Sequence, residues 1–197
     1  MRIAERRRAS SGRFRGGVDV IYHCEHADEE ALDLLEAAKD RVFVGPAIGL
    51  LHAAVHDDPA GGVARAYDLG LAAASRAYLE MKKRGIRVVI GGDYGFARTP
   101  QGENAGDIEH FVRHLGYSPG EALVCATRYG AELMGLGNDA EQVREGFLAD
   151  LLLVDGDPVA DVRVLQDRNR LVGIWKGGDA HKLDRVALER REVRAAE

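Results

Sequence analysis

The chain has 197 residues, 46% of them apolar, a net charge of −5 and a sequence pI of about 5.8. That length allows one large domain or a medium and a small one, with enough apolar residues for a core. No basic stripe interleaved with aromatics points to nucleic acid, and no apolar run approaches the ~20 residues of a membrane span.

Residues 1–17 carry Arg2, Arg6, Arg7, Arg8, Arg13 and Arg15 against Glu5, with Ser10, Ser11 and Gly12 between them. A solvated end is expected, with a transit peptide or a nucleic-acid arm as the other readings of such a composition. An apolar h-region for secretion is lacking there. Cys24 and Cys125 stand far apart, so no disulfide framework is expected and a reducing cytoplasm is the default location.

Val18–His23 reads as a buried strand whose alternation puts Asp19, Ile21 and His23 on one face and Val20 and Tyr22 on the other. Asp28 is a good N-cap for a helix over 29–39, with Ala31, Leu34, Leu35 and Ala38 on one face. Val42–Val44 is a second short strand, stopped by Gly45-Pro46. Residues 47 to about 62 read as a long connection containing His52 and His56, and loops of that length inside compact domains are usually functional or disordered. A helix then runs to Arg84, with Leu71, Ala74, Tyr78 and Met81 on one stripe and Gly85 as its stop. Ile86–Ile90 is rich in β-branched residues and reads as a third buried strand, followed by Gly91-Gly92-Asp93-Tyr94-Gly95. Strands alternating with helices imply a parallel sheet covered by helices. A carboxylate just past the carboxyl end of such a strand stands where barrel enzymes place catalytic groups. A plain Gly-Asp turn is the blander reading.

A loop with Tyr94, Phe96, Arg98 and Thr99 leads to a helix over 105–115 that buries Ile108, Phe111, Val112 and Leu115. Ser118-Pro119-Gly120-Glu121 is a capping box with proline at the first helical position, opening a helix to about Met134. The texture changes at Glu145-Gly146. Phe147–Val154, Val162–Leu165 and Leu171–Trp175 read as strands of a small β unit, with a hairpin turn at Lys176-Gly177-Gly178-Asp179. From Arg185 the chain is charged, as a surface helix or tail would be.

Three separated stretches together resemble the metal-dependent amidohydrolase superfamily, in particular its imidazolonepropionase- and prolidase-like members. Ile21-Tyr22-His23 with Asp28–Leu32 is similar to that family's sixth barrel strand, which ends in histidine, and the helix after it. Gly91-Gly92-Asp93-Tyr94-Gly95 resembles the Gly-Thr-Asp motif of its eighth strand, with Gly92 in place of the usual Thr or Ser. Ala126-Thr127, Ala131, Leu136, Glu145–Val154 and Asp157-Pro158 are similar to its closing helix and returning β-sandwich strand. The resemblance implies an α/β fold: the last three βα units of a TIM-type (β/α) barrel over 18–144, then β-sandwich strands over 145–184, between the basic segment 1–17 and a charged tail 185–197. The family's first-strand His-x-His pair, its fourth-strand lysine and its fifth-strand histidine have no counterpart here. The chain therefore resembles the carboxyl-terminal portion of such an enzyme, whether as a natural start or a truncated gene call.

By the same resemblance, Asp93 would be the catalytic group, and His23 and Asp93 would bind Zn2+ or another divalent ion, one or two in number. The reaction implied is hydrolysis of amide or cyclic amide C–N bonds in a small-molecule substrate. Two ligands would hold the ion weakly, because an open catalytic zinc site takes three from the protein. A catalytically incompetent module, acting only with an amino-terminal half or as a homo-oligomer, is the alternative. His52, Tyr94 and Arg98 are the candidate substrate contacts, with a surface-loop role as the alternative for each. Glu25 could orient His23. Cys24 reads as a small buried side chain, and His110 and His114, four apart, as part of a solvated helix face although such spacing can bind metal.

Overall fold

The computed structural model describes residues 17–57 and 62–184. The basic stretch 1–16 and the charged tail 185–197 lie outside the described residues, as do residues 58–61. Strand β1 (Val20–Tyr22) pairs in parallel with β2 (Phe43–Gly45), in the register Val20↔Phe43, Ile21↔Val44, Tyr22↔Gly45. Helix α1 (Glu29–Ala37) makes the crossover between them, and its first turn is closed by the Asp28 carboxylate accepting from the Ala31 amide. The expected third strand over 86–90 forms only a single parallel bridge, Val44↔Val88. It is held by Val44 N donating to Arg87 O and Val89 N donating to Val44 O, each at 2.9 Å. Among the described residues it has a neighbour on one side only, so its ladder stays short.

The long connection expected over 47–62 is a helix for most of its length. Helix α2 spans Ile48–Asp57. Gly49 and two histidines weakened its helical pattern in the sequence. Helix α3 (Gly62–Lys83) follows, then α4 (Gly106–Leu115), α5 (Pro119–Ala126) and α6 (Arg128–Leu133). The capping box forms as expected: Ser118 Oγ accepts from Glu121 N, and Glu121 accepts from Ser118 N. The single helix expected from there to Met134 is instead two, parted at Thr127, whose hydroxyl donates back to Leu123 O at 2.8 Å. Such a back-bond bends a helix.

One face of the parallel layer is dry. Ile21, Val44 and Val88 meet Leu35 of α1, Tyr78 and Met81 of α3, and Phe111 and Leu115 of α4 in one buried cluster. Arg84 ties α1 to α3 at the surface, pairing with Glu29, Asp33 and Glu80. On the opposite face the Tyr22 ring lies across two glycines. A Cβ at Gly45 would overlap the ring, and one at Gly91 would come within 2.7 Å of it.

The remainder is an antiparallel sheet of β3 (Leu151–Val154), β4 (Leu171–Lys176) and β5 (Asp179–Leu183), in that order. The hairpin turn at Gly177-Gly178 is as expected, and the Asp150 carboxylate accepts from Gly177 N at 2.6 Å. The strand expected at Val162–Leu165 is a 3-10 turn, because the Asp161 carboxylate accepts from Arg163 N and tightens the chain. Strand β5, polar and largely exposed, carries no apolar alternation by which to find it. The architecture is mixed α/β, and no barrel closes among the described residues. No described helix is long and apolar enough to cross a membrane.

Gly45→Ala should destabilise the fold by about 1–3 kcal/mol through overpacking against Tyr22. In a Tyr22→Ala background the same change should be close to neutral. Paired thermal melts of the four proteins check both statements.

Candidate active site

The carboxyl ends of β1 and of the Val88 segment carry the two residues that the motifs single out. Alternation along β1 would send His23 to the same side as Ile21, into the packed core. It does not arrive there, because His23 has φ +61° and leaves the strand. Asp93 is likewise left-handed, at φ +53°. Residues with a Cβ visit this region rarely, and when they do the surroundings must hold them there. For His23 the holders are visible on both sides. Its own amide donates to Gly45 O at 3.1 Å, and the next amide, of Cys24, donates to the hydroxyl of the fully buried Tyr78 at 3.3 Å. For Asp93 the holder is Thr99, whose hydroxyl donates to Asp93 O at 2.9 Å and whose carbonyl accepts from Gly95 N at 2.7 Å.

The two turns bring the side chains together. His23 Nε2 lies 3.3 Å from Asp93 Oδ2, and His23 Nδ1 lies 3.7 Å from Glu25 Oε1. Glu25 Oε1 is buried and has no hydrogen-bond partner among the described residues, so its nearness to the imidazole is its main compensation. Cys24 is buried beside them, and desolvation pushes its thiol up to about 12, which leaves it unreactive. Tyr22 also has a raised pKa, from burial first and then from the Asp93 charge.

A second acid sits behind this pair. Asp107, in the first turn of α4, is completely buried. Its carboxylate fills the space that side chains at Gly92 and Gly49 would need. This accounts for glycine at 92, where the resemblance leads one to expect Thr or Ser. Tyr94 donates its hydroxyl to Asp107 Oδ1 at 3.3 Å, and Asp107 Oδ2 has no partner among the described residues. Burial, with the Asp93 charge adding to it, pushes the Asp107 carboxyl up to about 7 against the pull of the Tyr94 hydrogen bond.

The three candidate substrate contacts share one place. His52, Tyr94 and Arg98 all line a cleft of about 720 Å³ between α2, the 94–106 loop, α4 and the 3-10 turn. His23 and Asp93 do not line it; Tyr94, next to Asp93 in the chain, stands at its wall. The helix face of His110 and His114 is turned the other way from expectation. Both face His52, with His114 Nε2 3.2 Å from His52 Nδ1 and the His52 and His110 rings 4.3 Å apart. One nitrogen from each of the three lies within 4.8 Å of the others, a group that could hold a metal ion. Desolvation first, then the neighbouring histidines, pushes His110 down to about 3 and His114 down to about 4.

For His23 and Asp93 the fit to a metal can be tested by distance. Donors bound at 2.0–2.1 Å to one tetrahedral ion stand roughly 3.3 Å apart, and these two are 3.3 Å apart. They can serve as two ligands. Among the described residues no third donor joins them.

A family model described as "Amidohydrolase family" matches residues 19–180. The chain belongs to the amidohydrolase family. Ochratoxinase of Aspergillus niger is 26% identical over 175 residues, which are 86% of this chain but 35% of that protein. The chain thus spans about a third of the length of the curated relatives it matches. The crystal structure of A. niger ochratoxinase superposes with a TM-score of 0.80 at 21% identity, covering 92% of this chain and 41% of that one. A putative prolidase from Bifidobacterium longum gives 0.79 at 20% identity, covering 98% and 50%. A Xaa-Pro dipeptidase crystallised with methionine in its active site gives 0.76 at 22% identity, covering 91% and 44%. At these identities the structures speak for the fold.

Two features escaped the sequence. Asp107 sits among apolar helix positions and carries no motif. The grouping of His52 with His110 and His114 depends on α2 being a helix, which the reading of 47–62 as a loop concealed.

Asp107 gives a pH prediction. From about pH 4 to 7 the unfolded chain has Asp107 ionised while the fold keeps its proton, so the fold binds more protons and loses stability as pH rises. Above about 7 the loss is complete and level. Relative to Asp107→Asn, the wild-type melting temperature should fall by several degrees across that window. A pH series of melts on both proteins measures the difference.

Proposed function

We propose that the chain is part of a hydrolase that cleaves amide or cyclic amide C–N bonds in small molecules, with Asp93 as its proton-transfer group. The observation that carries this reading is the 3.3 Å meeting of His23 Nε2 and Asp93 Oδ2 at the carboxyl ends of two strands of one parallel layer, in a member of the amidohydrolase family. Residues 18–144 are taken as the last three βα units of a (β/α) barrel, and 145–184 as strands of its accompanying β-sandwich.

A divalent ion such as Zn2+ supplies Lewis acidity that makes water a nucleophile at neutral pH. His23 and Asp93 would hold it from this chain, and the remaining donors would come from a portion of the relatives that the match does not cover. Asp93 accepts the proton of the attacking water at its carboxylate and returns it to the leaving nitrogen. His23, its turn held by the hydrogen bond from Cys24 N to the Tyr78 hydroxyl, is the second donor beside the Asp93 carboxylate. Tyr94, Arg98 and His52 line the cleft, where Arg98 would meet a substrate carboxylate. Acyl-amino-acid-like compounds suit that arrangement. The methionine held by the Xaa-Pro dipeptidase carries the α-carboxylate that such compounds share.

A second reading follows from the same count of donors. With two ligands in the described residues, the chain acts only when docked to a complementary half. The test is activity of the chain, alone and mixed with the amino-terminal portion of A. niger ochratoxinase, against an amide panel with added Zn2+. The mixture should turn over at least one acyl-amino-acid amide, and Asp93→Asn should lower kcat by about 10²–10⁴-fold. An active mixture unaffected by Asp93→Asn would overturn the role given to Asp93. Full activity of the chain alone would overturn the docking requirement.

A further inference from the structure

We propose that His52, His110 and His114 form a second metal site, selective for zinc-class divalent ions and independent of His23 and Asp93. The three imidazoles come from two helices, α2 and α4, and share no residue with the strand-end pair. His110 and His114 are one turn apart on α4 and present adjacent rings, as an i, i+4 spacing must. His52 closes the group from α2, its Nδ1 3.2 Å from His114 Nε2. That is close to the roughly 3.3 Å separating two donors on one tetrahedral ion. All three donor atoms lie within 4.8 Å of one another, so an ion would draw them in by rotation of the imidazoles.

An independent observation points the same way. His110 Nδ1 is buried and has no hydrogen-bond partner among the described residues. Buried polar atoms are nearly always satisfied, and an ion in the centre of the three rings would satisfy this one. The donor set decides the class. Three imidazole nitrogens suit zinc, cobalt, nickel or copper, whereas magnesium and calcium require oxygen. His52 and His110 also line the cleft, from which water or a ligand atom would complete the shell. Glu109 on the cleft wall favours the added charge, and Arg113 opposes it. Bound there, the ion clamps α2 onto α4 and makes one wall of the cleft rigid.

Co2+ titration of the metal-stripped chain, followed by visible ligand-field absorption, tests this without reference to activity. In a His23→Ala/Asp93→Asn background, one Co2+ per chain should still bind with tetrahedral-type bands, and Zn2+ should displace it. His52→Gln and His110→Gln keep volume and polarity, and each should weaken binding by about 100-fold or more while far-UV circular dichroism is unchanged. Zn2+ should also raise the melting temperature of the parent and not of His52→Gln. Binding that survives both glutamine variants, or that vanishes with the His23/Asp93 pair, would overturn the proposal. Neither result would touch the role assigned to Asp93.

Discussion

Two backbone hydrogen bonds set the phase of everything else. Val44 N donates to Arg87 O, and Val89 N donates to Val44 O. Side chains alternate along a strand, so a slip of one residue at this point would turn every side chain of the third segment to the other face and move it by about 3.3 Å. Val88 would leave the core cluster that holds it at 1% exposure. Gly91 would no longer lie beneath the Tyr22 ring. Asp93 would miss His23. The register is therefore shared property: one face fixes it through Val88, the opposite face through Gly91, and the reactive pair inherits it.

The glycines around the pair are best understood as vacated volume. Gly45 and Gly91 give their space to Tyr22, and Gly49 and Gly92 give theirs to Asp107. Two large or costly groups thus pack directly against backbone near His23 and Asp93. Asp107 and Tyr94 form a hydrogen-bonded prop behind the Asp93 turn. The hydroxyl of Tyr78 does the same work behind His23, from the helix side. His23 is held by groups distant in the chain, Gly45 and Tyr78, and Asp93 by Thr99 across a short loop, which is why both conformations persist despite their intrinsic cost.

Much of this was legible in the residues themselves. The capping box at Ser118, the Asp28 cap, the alternation of strands and helices, and the motif around Asp93 are local signals, and local signals survive translation into structure. What was lost was set by contacts between distant segments. Helix α2 is half-masked by Gly49, whose missing side chain serves Asp107, a residue 58 positions away. The segment at Val162–Leu165 has the composition of a strand, but a single carboxylate at Asp161 turns it. The faces of His110 and His114 could be chosen only once α2 was in place beside α4. The departure of His23 from strand alternation could not be read at all, since nothing in its own sequence neighbourhood demands a positive φ.

Arg87 opens a different view of the same layer. It sits before Val88, at the end of the sheet away from His23 and Asp93, with its guanidinium 3.9 Å from the Phe43 ring. Its Nε donates to Lys39 O and its terminal nitrogen to Glu132 of α6, each at 2.9 Å. One side chain so binds the foot of two strands to the turn after α1 on one flank and to α6 on the other. The molecule is consequently polarised, with a riveted base and a working rim built of loops. Remodelling at the rim, by nature or by an engineer seeking another substrate, can proceed while the foundation stays put.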